Sequence, residues 1–299
     1  MVPAEKCIYV LRWEGQRLFV LWNTDDMMAA ADTQDIWVHY IQALKQNEGW
    51  SMTMAMPKAP FDYKYCGIQY ERTSARGPIS MHQAPYISKL LEKMDMSTCK
   101  GSRTPYIANT NWKTELQATT DDEKNDVIGW YLTVLGAFRW IKTRVDLMVQ
   151  LLKMSSVMHN PGYAVIKHVT KFARYLQQTI NYKWTLQYDS SIGTGPLTVS
   201  YYPDASWLDG AGQKSTAGMA VFVGRLNLVY AVSKYLPTQA TSTAHAEIQM
   251  LAIAAHHSVF MREMIVGAGL QISMPITFWE DNTTARKHSG PDNQQQPSK

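Results

Sequence analysis

Apolar and polar positions alternate in short runs at the start of the chain and lengthen into helical periods in its middle. Ile8 to Trp13, Arg17 to Trp22 and Met27 to Ala31 are apolar runs, separated by Glu14-Gly15 and by Asn23-Thr24-Asp25-Asp26. Turn-forming residues between extended apolar runs predict two tight hairpins. Ile36, Tyr40, Ile41 and Leu44 recur at helical spacing and predict a helix from about Asp35 to Asn47. Tyr63 to Tyr70 reads as one further strand, and Tyr86 to Met94 as a short helix carrying Ile87, Leu90 and Leu91.

From Ser97 to Thr120 the chain is polar and irregular and reads as a linker. Thr120-Asp121-Asp122-Glu123 then opens a long helix, because a capping hydroxyl and first-turn carboxylates satisfy free N–H groups and complement the dipole. A second helix is expected over Leu147 to Met158, stopped by Asn160-Pro161. A third is expected over Tyr163 to Thr179, with Val165, Val169, Phe172 and Leu176 on one face and Lys167, Lys171 and Arg174 on the other, which reads first as a solvated face and second as one that meets a phosphate backbone. Past Tyr182 the period changes to strands over Leu197 to Tyr202, Ala217 to Val223 and Leu226 to Val232. A helix over Thr243 to His257 follows, then a strand over Ile276 to Trp279 that ends in Glu280-Asp281-Asn282.

The 299 residues suffice for about two domains, and 45% hydrophobic with 18% charged residues excludes disorder, collagen and coiled coil. The net charge of +4 is too small to argue for nucleic acid by itself, since a phosphate-binding surface needs clustered charge. Cys7, Cys66 and Cys99 lie far apart without metal-ligand spacing, which predicts reduced thiols and an intracellular location, cytoplasmic or nuclear. An N-terminus carrying Glu5 and Lys6, and no stretch of 18 uninterrupted apolar residues, predict no signal peptide and no membrane span.

Asp204, Glu247 and Asp281 are the acids whose placement suggests chemistry. Asp204 follows a strand, Glu247 lies on the helix and Asp281 follows the last strand, so one sheet edge can gather all three. Like charges gathered there need a hard cation such as Mg²⁺ to neutralise them. Each also has a plain reading: a turn residue, a surface helix residue and a helix N-cap.

The segments Tyr202-Pro203-Asp204-Ala205-Ser206-Trp207, Lys214-Ser215-Thr216-Ala217-Gly218, Ser242-Thr243-Ala244-His245-Ala246-Glu247 and Glu280-Asp281-Asn282 follow one another on a β-β-β-α-β pattern. In that order they resemble the ribonuclease H domain of copia-type retrotransposon polyproteins, whose versions read approximately S-D-A-D-W, R-K-S-T-S-G, S-S-T-E-A-E and C-D-N. Upstream, Trp140-Ile141-Lys142-Thr143-Arg144-Val145-Asp146 resembles the family's connecting helix ending in T-R-P-D, with Val145 for the usual proline. His159-Asn160-Pro161 and Arg174-Tyr175-Leu176 are similar to the next helix pair. Leu18 to Ala31 is similar to the reverse-transcriptase palm hairpin, with Asn23-Thr24-Asp25-Asp26 for Y-V-D-D. Tyr65-Cys66-Gly67-Ile68 resembles its F-L-G-I strand, and Met81-His82-Gln83 through Leu91 the start of the thumb.

The resemblance implies an α+β chain. A partial palm and thumb would span 1–106, a helical connection 107–190, a C-terminally shortened ribonuclease H-like mixed sheet with helices 191–290, and a disordered tail 291–299. It implies two Mg²⁺ ions about 4 Å apart on Asp204, Glu247 and Asp281, cleaving the RNA strand of an RNA–DNA hybrid. Asp25 and Asp26 would be the polymerase metal ligands, and Lys167, Lys171, Arg174 and Lys214 would touch phosphates, which positions a duplex without reading sequence. Polymerisation is not expected from this chain alone, which begins after the strand bearing another palm aspartate and has Asn23 in place of the motif aromatic. The partners implied are a hybrid duplex and upstream polymerase segments, with no membrane. A second reading, of another class, is a co-opted chain that binds nucleic acid or a protein without catalysis.

Overall fold

The computed structural model describes residues 6–46, 61–74, 76–112, 114–188, 195–208 and 214–289. Strands β1 (Ile8–Trp13), β2 (Gln16–Asn23) and β3 (Asp26–Ala31) form an antiparallel meander, as the alternation predicted. Helix α1 (Gln34–Gln46) buries Ile36 against Leu18 and Val20 of β2. The expected end of this helix at Asn47 and the tail 291–299 lie outside the described residues.

The single strand expected over Tyr63 to Tyr70 is two. β4 (Phe61–Tyr65) and β5 (Ile68–Arg72) form a hairpin turning at Cys66 and Gly67, whose φ values of 47° and 79° are left-handed. A glycine supports that conformation without strain, but it is a faint signal inside a continuous run of tyrosines and isoleucine. β6 (Ile79–His82) extends the sheet, and β7 (Trp184–Leu186), distant in sequence, pairs with β6.

Helices α2 (Ala84–Lys93), α3 (Asp121–Arg139), α4 (Met148–Ser156) and α5 (Val165–Gln178) share one core, with a 3₁₀ turn over Val145–Leu147. The Thr120 hydroxyl accepts from the Glu123 backbone N–H at 3.2 Å, capping α3 as its sequence predicts. Phe138 and Phe172 pack with ring centroids 4.5 Å apart, and the Tyr131 hydroxyl donates to the Met154 carbonyl at 2.7 Å. Ile87, Leu90 and Leu91 join buried residues between Val127 and Leu176 in this core. The irregular segment before α3 is tied down too. Leu116 is buried, its carbonyl accepts from Gly162 N–H at 2.8 Å, and Ser102 N–H donates to the Arg174 carbonyl at 3.2 Å.

The last unit is a four-stranded sheet in the order β10 (Asn227–Tyr235), β9 (Thr216–Val223), β8 (Val199–Ser206), β11 (Thr277–Phe278). The first three are antiparallel, whereas β11 runs parallel to β8, a pairing that requires the crossover supplied by α6 (Thr243–Gly267). Ser242 caps α6 by accepting from His245 N–H at 3.1 Å. The helix runs past the expected end at His257 because no Gly or Pro interrupts Ser258 to Val266. Ala246, Met250 and Ala254 bury its inner face against Tyr201 and Val221. A short α7 (Thr283–Ser289) follows β11. Three sheets and seven α-helices among the described residues make a mixed α and β chain, in keeping with the α+β expectation. No helix among them is long and apolar enough to cross a membrane.

Candidate metal centre

Strand β8 alternates between a buried and an exposed side. Tyr201, Pro203 and Ala205 are buried, while Tyr202, Asp204 and Ser206 are exposed. Tyr201 lies on the α6 side, its hydroxyl 3.0 Å from His257 Nδ1, so Asp204 emerges from the other face near the strand's end. Glu247 comes from the first turns of α6 and is only 4% exposed. Asp281 follows β11, whose parallel pairing with β8 brings it beside Asp204. One ligand oxygen from each of Asp204, Glu247 and Asp281 lies within 4.8 Å of the others.

The three plain readings do not describe these residues. Asp204 is inside a strand, and Glu247 is buried rather than on a solvated face. The capping role goes to Asn282, whose Oδ1 accepts from the N–H groups of Thr284 and Ala285, each at 3.0 Å, which leaves the Asp281 carboxylate free of that duty. Burial, reinforced by the negative charges of Glu280, Asp204 and Asp281, raises the Glu247 pKa to about 7 against one backbone hydrogen bond from Ala205. Its Oε2 is buried without a hydrogen-bond partner. A buried carboxylate oxygen with no donor is costly unless a proton or a cation meets it. An all-oxygen donor set that includes a buried carboxylate with an orphaned oxygen fits a hard divalent cation.

Sequence reasoning missed Glu280. Its Oε1 accepts from Asn282 N–H at 2.9 Å, its Oε2 is buried without a partner, and burial raises its pKa. The signal was present in Glu280-Asp281-Asn282, but the C-D-N pattern places a cysteine there and directs attention to Asp281 alone.

The other predicted site residues are dispersed. Asp25 and Asp26 stand exposed at the β2–β3 turn and are not part of any group of three metal-capable side chains among the described residues. Asp26 Oδ2 instead accepts from Cys66 N–H at 3.3 Å, fastening this hairpin tip to the β4–β5 turn. Lys167, Lys171 and Arg174 ride on α5 in the helical unit, Lys171 half-buried and the other two exposed. Lys214 is exposed just before β9, whose Thr216 pairs with Ser206, so it sits past the Asp204 end of the sheet. On the Asp204 face, Tyr202 and Trp279 stack with centroids 6.1 Å apart and planes within 10°. His257 is enclosed by Tyr201, Tyr230 and Phe260 and serves packing.

Comparisons with protein-family models, with curated proteins and with solved structures each found no match.

Proposed function

We propose that the chain is a fragment of a copia-type polyprotein, part of a reverse-transcriptase palm and thumb followed by a ribonuclease H domain, and that it cleaves the RNA strand of RNA–DNA hybrids with a divalent metal. The observation that carries this reading is the buried Glu247, which has one oxygen without a donor and offers a carboxylate oxygen within 4.8 Å of those of Asp204 and Asp281. The order β10-β9-β8-β11, with a helix crossing from the antiparallel strands to the parallel one, agrees with the motif order that suggested it. Mg²⁺ is the expected ion, because the donors are carboxylate oxygens and the substrate would bring phosphate oxygens of its own.

A bound divalent cation supplies charge neutralisation at the scissile phosphate. Asp204 and Asp281, both exposed, and the buried Glu247 would be the residues that hold it. Lys214 lies past the same strand end and is suited to a phosphate oxygen, whereas Lys167, Lys171 and Arg174 would meet the duplex farther along. The stacked Tyr202 and Trp279 give a flat apolar surface next to the acids, suited to a sugar or base face. Preference for RNA would come from its 2′-hydroxyl, which DNA lacks.

The test is cleavage of an end-labelled hybrid with and without Mg²⁺, by the wild-type chain and by Asp204→Asn. Metal-dependent cleavage that disappears in the variant supports the proposal. Cleavage no greater than the variant's background overturns it and leaves the binding-only reading.

A further inference from the structure

A cavity of about 500 Å³ lies where the helical unit meets strands β7 and β10, and its walls include Thr143, Arg144, Asn181, Tyr182, Lys183 and Trp184. That is the size of a small-ligand site, and junctions between packed units are where such sites concentrate. Both walls are fixed. The Trp184 indole N–H donates to the Leu228 carbonyl of β10 at 2.8 Å. Gln187 N–H donates to Asn227 Oδ1 at 2.7 Å, and Asn227 Nδ2 donates back to the Gln187 carbonyl at 3.1 Å. Opposite them, the Arg144 guanidinium is held by Asp146 and Thr179 and lies 5.1 Å from the centre of the Tyr182 ring.

The lining combines three chemistries. Tyr182 and Trp184 supply aromatic surface, and Tyr182 is 56% exposed, so its ring is open to a planar ligand. Thr143 is only 4% exposed, and its Oγ1 is buried with no partner among the described residues. A buried hydroxyl that the fold leaves unsatisfied is met when a ligand brings a hydrogen-bonding edge. Asn181, exposed on the same wall, offers both a donor and an acceptor. The cations are already paired, Arg144 with Asp146 and Lys183 with Glu71, which suits a ligand of low charge rather than a polyanion. Lys183 is exposed and keeps ammonium donors beyond the one given to Glu71, enough for a single phosphate. We propose that this cavity binds one nucleotide, its base stacked on Tyr182 and hydrogen-bonded by Thr143 and Asn181, its phosphate at Lys183. A base paired within a duplex is already stacked on its neighbours, so the ligand is a free nucleotide or an unpaired one in a strand. Nothing in the proposal depends on the metal centre.

The test is calorimetric titration of the whole chain, in chelator, with adenosine 5′-monophosphate, ribose 5-phosphate and a single-stranded oligoadenylate. Wild type is compared with Tyr182→Ala, Tyr182→Phe, Thr143→Val and Asp204→Asn. A ligand carrying the base should bind wild type, Tyr182→Phe and Asp204→Asn alike, and Tyr182→Ala about fivefold or more weakly, the lower end for one stacked base. Thr143→Val, close to threonine in shape, should weaken binding without lowering the melting temperature, which guards against a loss caused by misfolding. Binding of the monophosphate that the oligoadenylate does not displace supports the free nucleotide. Displacement by the oligoadenylate, or Tyr182-dependent binding of the oligoadenylate alone, supports the unpaired nucleotide of a strand. Ribose 5-phosphate bound as tightly as the monophosphate, wild-type affinity in Tyr182→Ala, or no binding of either base-carrying ligand overturns the proposal. Each of those failures leaves the reading of Asp204, Glu247 and Asp281 where it stood.

Discussion

Glu247, buried on α6, and Asp204, exposed on strand β8, bring ligand oxygens within 4.8 Å of each other. A helix and a strand end are both held by the surrounding core, so neither acid can relax away from the other. Without a cation, burial first and then the nearby acids, Asp204 among them, favour the protonated form of Glu247.

Stability of the metal-free protein should fall as pH rises from about 4.5 to about 7. The Glu247 pKa is lifted from its ordinary 4.5 to about 7, first by burial and then by its acidic neighbours. In that window the folded state holds a proton that the unfolded chain has released, so raising pH favours unfolding. Above it the loss is complete. Glu247→Gln, which stays neutral, should flatten this part of the profile and melt higher than wild type at about pH 8 in chelator, as read by calorimetry across pH. A wild-type melting temperature that rises over the same window would show that Glu247 is not the group that titrates.

Divalent cation should reverse that penalty. Mg²⁺ at a hundredfold excess over its dissociation constant adds about 2.7 kcal/mol to the stability of the unit that binds it. Near neutral pH the melting transition of the C-terminal unit should rise with Mg²⁺, and Asp204→Asn should remove most of the rise. Equal shifts in variant and wild type would trace the effect to ions elsewhere on the chain.

The fold was readable where punctuation and period agreed. Gly15 and the Asn23 to Asp26 turn bracket runs that alternate, and Thr120 with three acids announces α3. It was unreadable where one residue carried the whole signal, as Gly67 does for the β4–β5 hairpin, or where pairing is long-range, as when β7 completes a sheet begun at β4. The same division holds at the centre. Asp204, Glu247 and Asp281 could be named from their order along a β-β-β-α-β pattern, but only the packing of α6 on β8 buries Glu247 and strands its Oε2. Glu280 was hidden because its neighbour fits the motif, and its hydrogen bond from Asn282 N–H is visible only in the folded turn.

Arg144 should be the most sensitive polar residue of the helical unit. Its side chain is 2% exposed. It donates to both oxygens of Asp146, at 2.9 and 2.7 Å, and to the Thr179 carbonyl and hydroxyl, and it lies over the rings of Tyr175 and Tyr182. Arg144→Ala strands these acceptors and should cost about 3 kcal/mol, near the low end for a broken buried pair because Asp146 keeps 33% exposure. Arg144→Lys should recover little, since an ammonium cannot reproduce the fork. Urea unfolding monitored by circular dichroism measures both. Burial alone would raise the Asp146 pKa, but hydrogen bonds from Arg144 and Tyr175 outweigh it and bring it below its ordinary value. The pair's contribution is therefore present above the ordinary Asp range and is lost as pH falls through the lowered value.

If the proposed function holds, the cations of α5 should contribute to hybrid binding independently of the acidic cluster. Lys167 and Arg174 are exposed and Lys171 half-buried on a helix whose opposite face, Val169, Phe172 and Leu176, is sealed in the core, so replacing the charges leaves that core in place. Each phosphate neutralised by such a side chain releases condensed counterion, giving a slope of about −0.9 per contact in a plot of log affinity against log salt on a duplex. Lys167→Gln, Lys171→Gln and Arg174→Gln together should reduce the magnitude of that slope by about 3 if all three touch phosphate. They should weaken hybrids of different sequence equally, because phosphate contacts carry no sequence information. The metal centre lies in a different core, so Mn²⁺ binding by the triple variant should match wild type. Binding to a catalytically inert hybrid across a salt series, with the same protein samples titrated by Mn²⁺, separates the two. A slope unchanged in the triple variant would remove α5 from the interface and confine nucleic-acid contact to the sheet that bears Asp204 and Lys214.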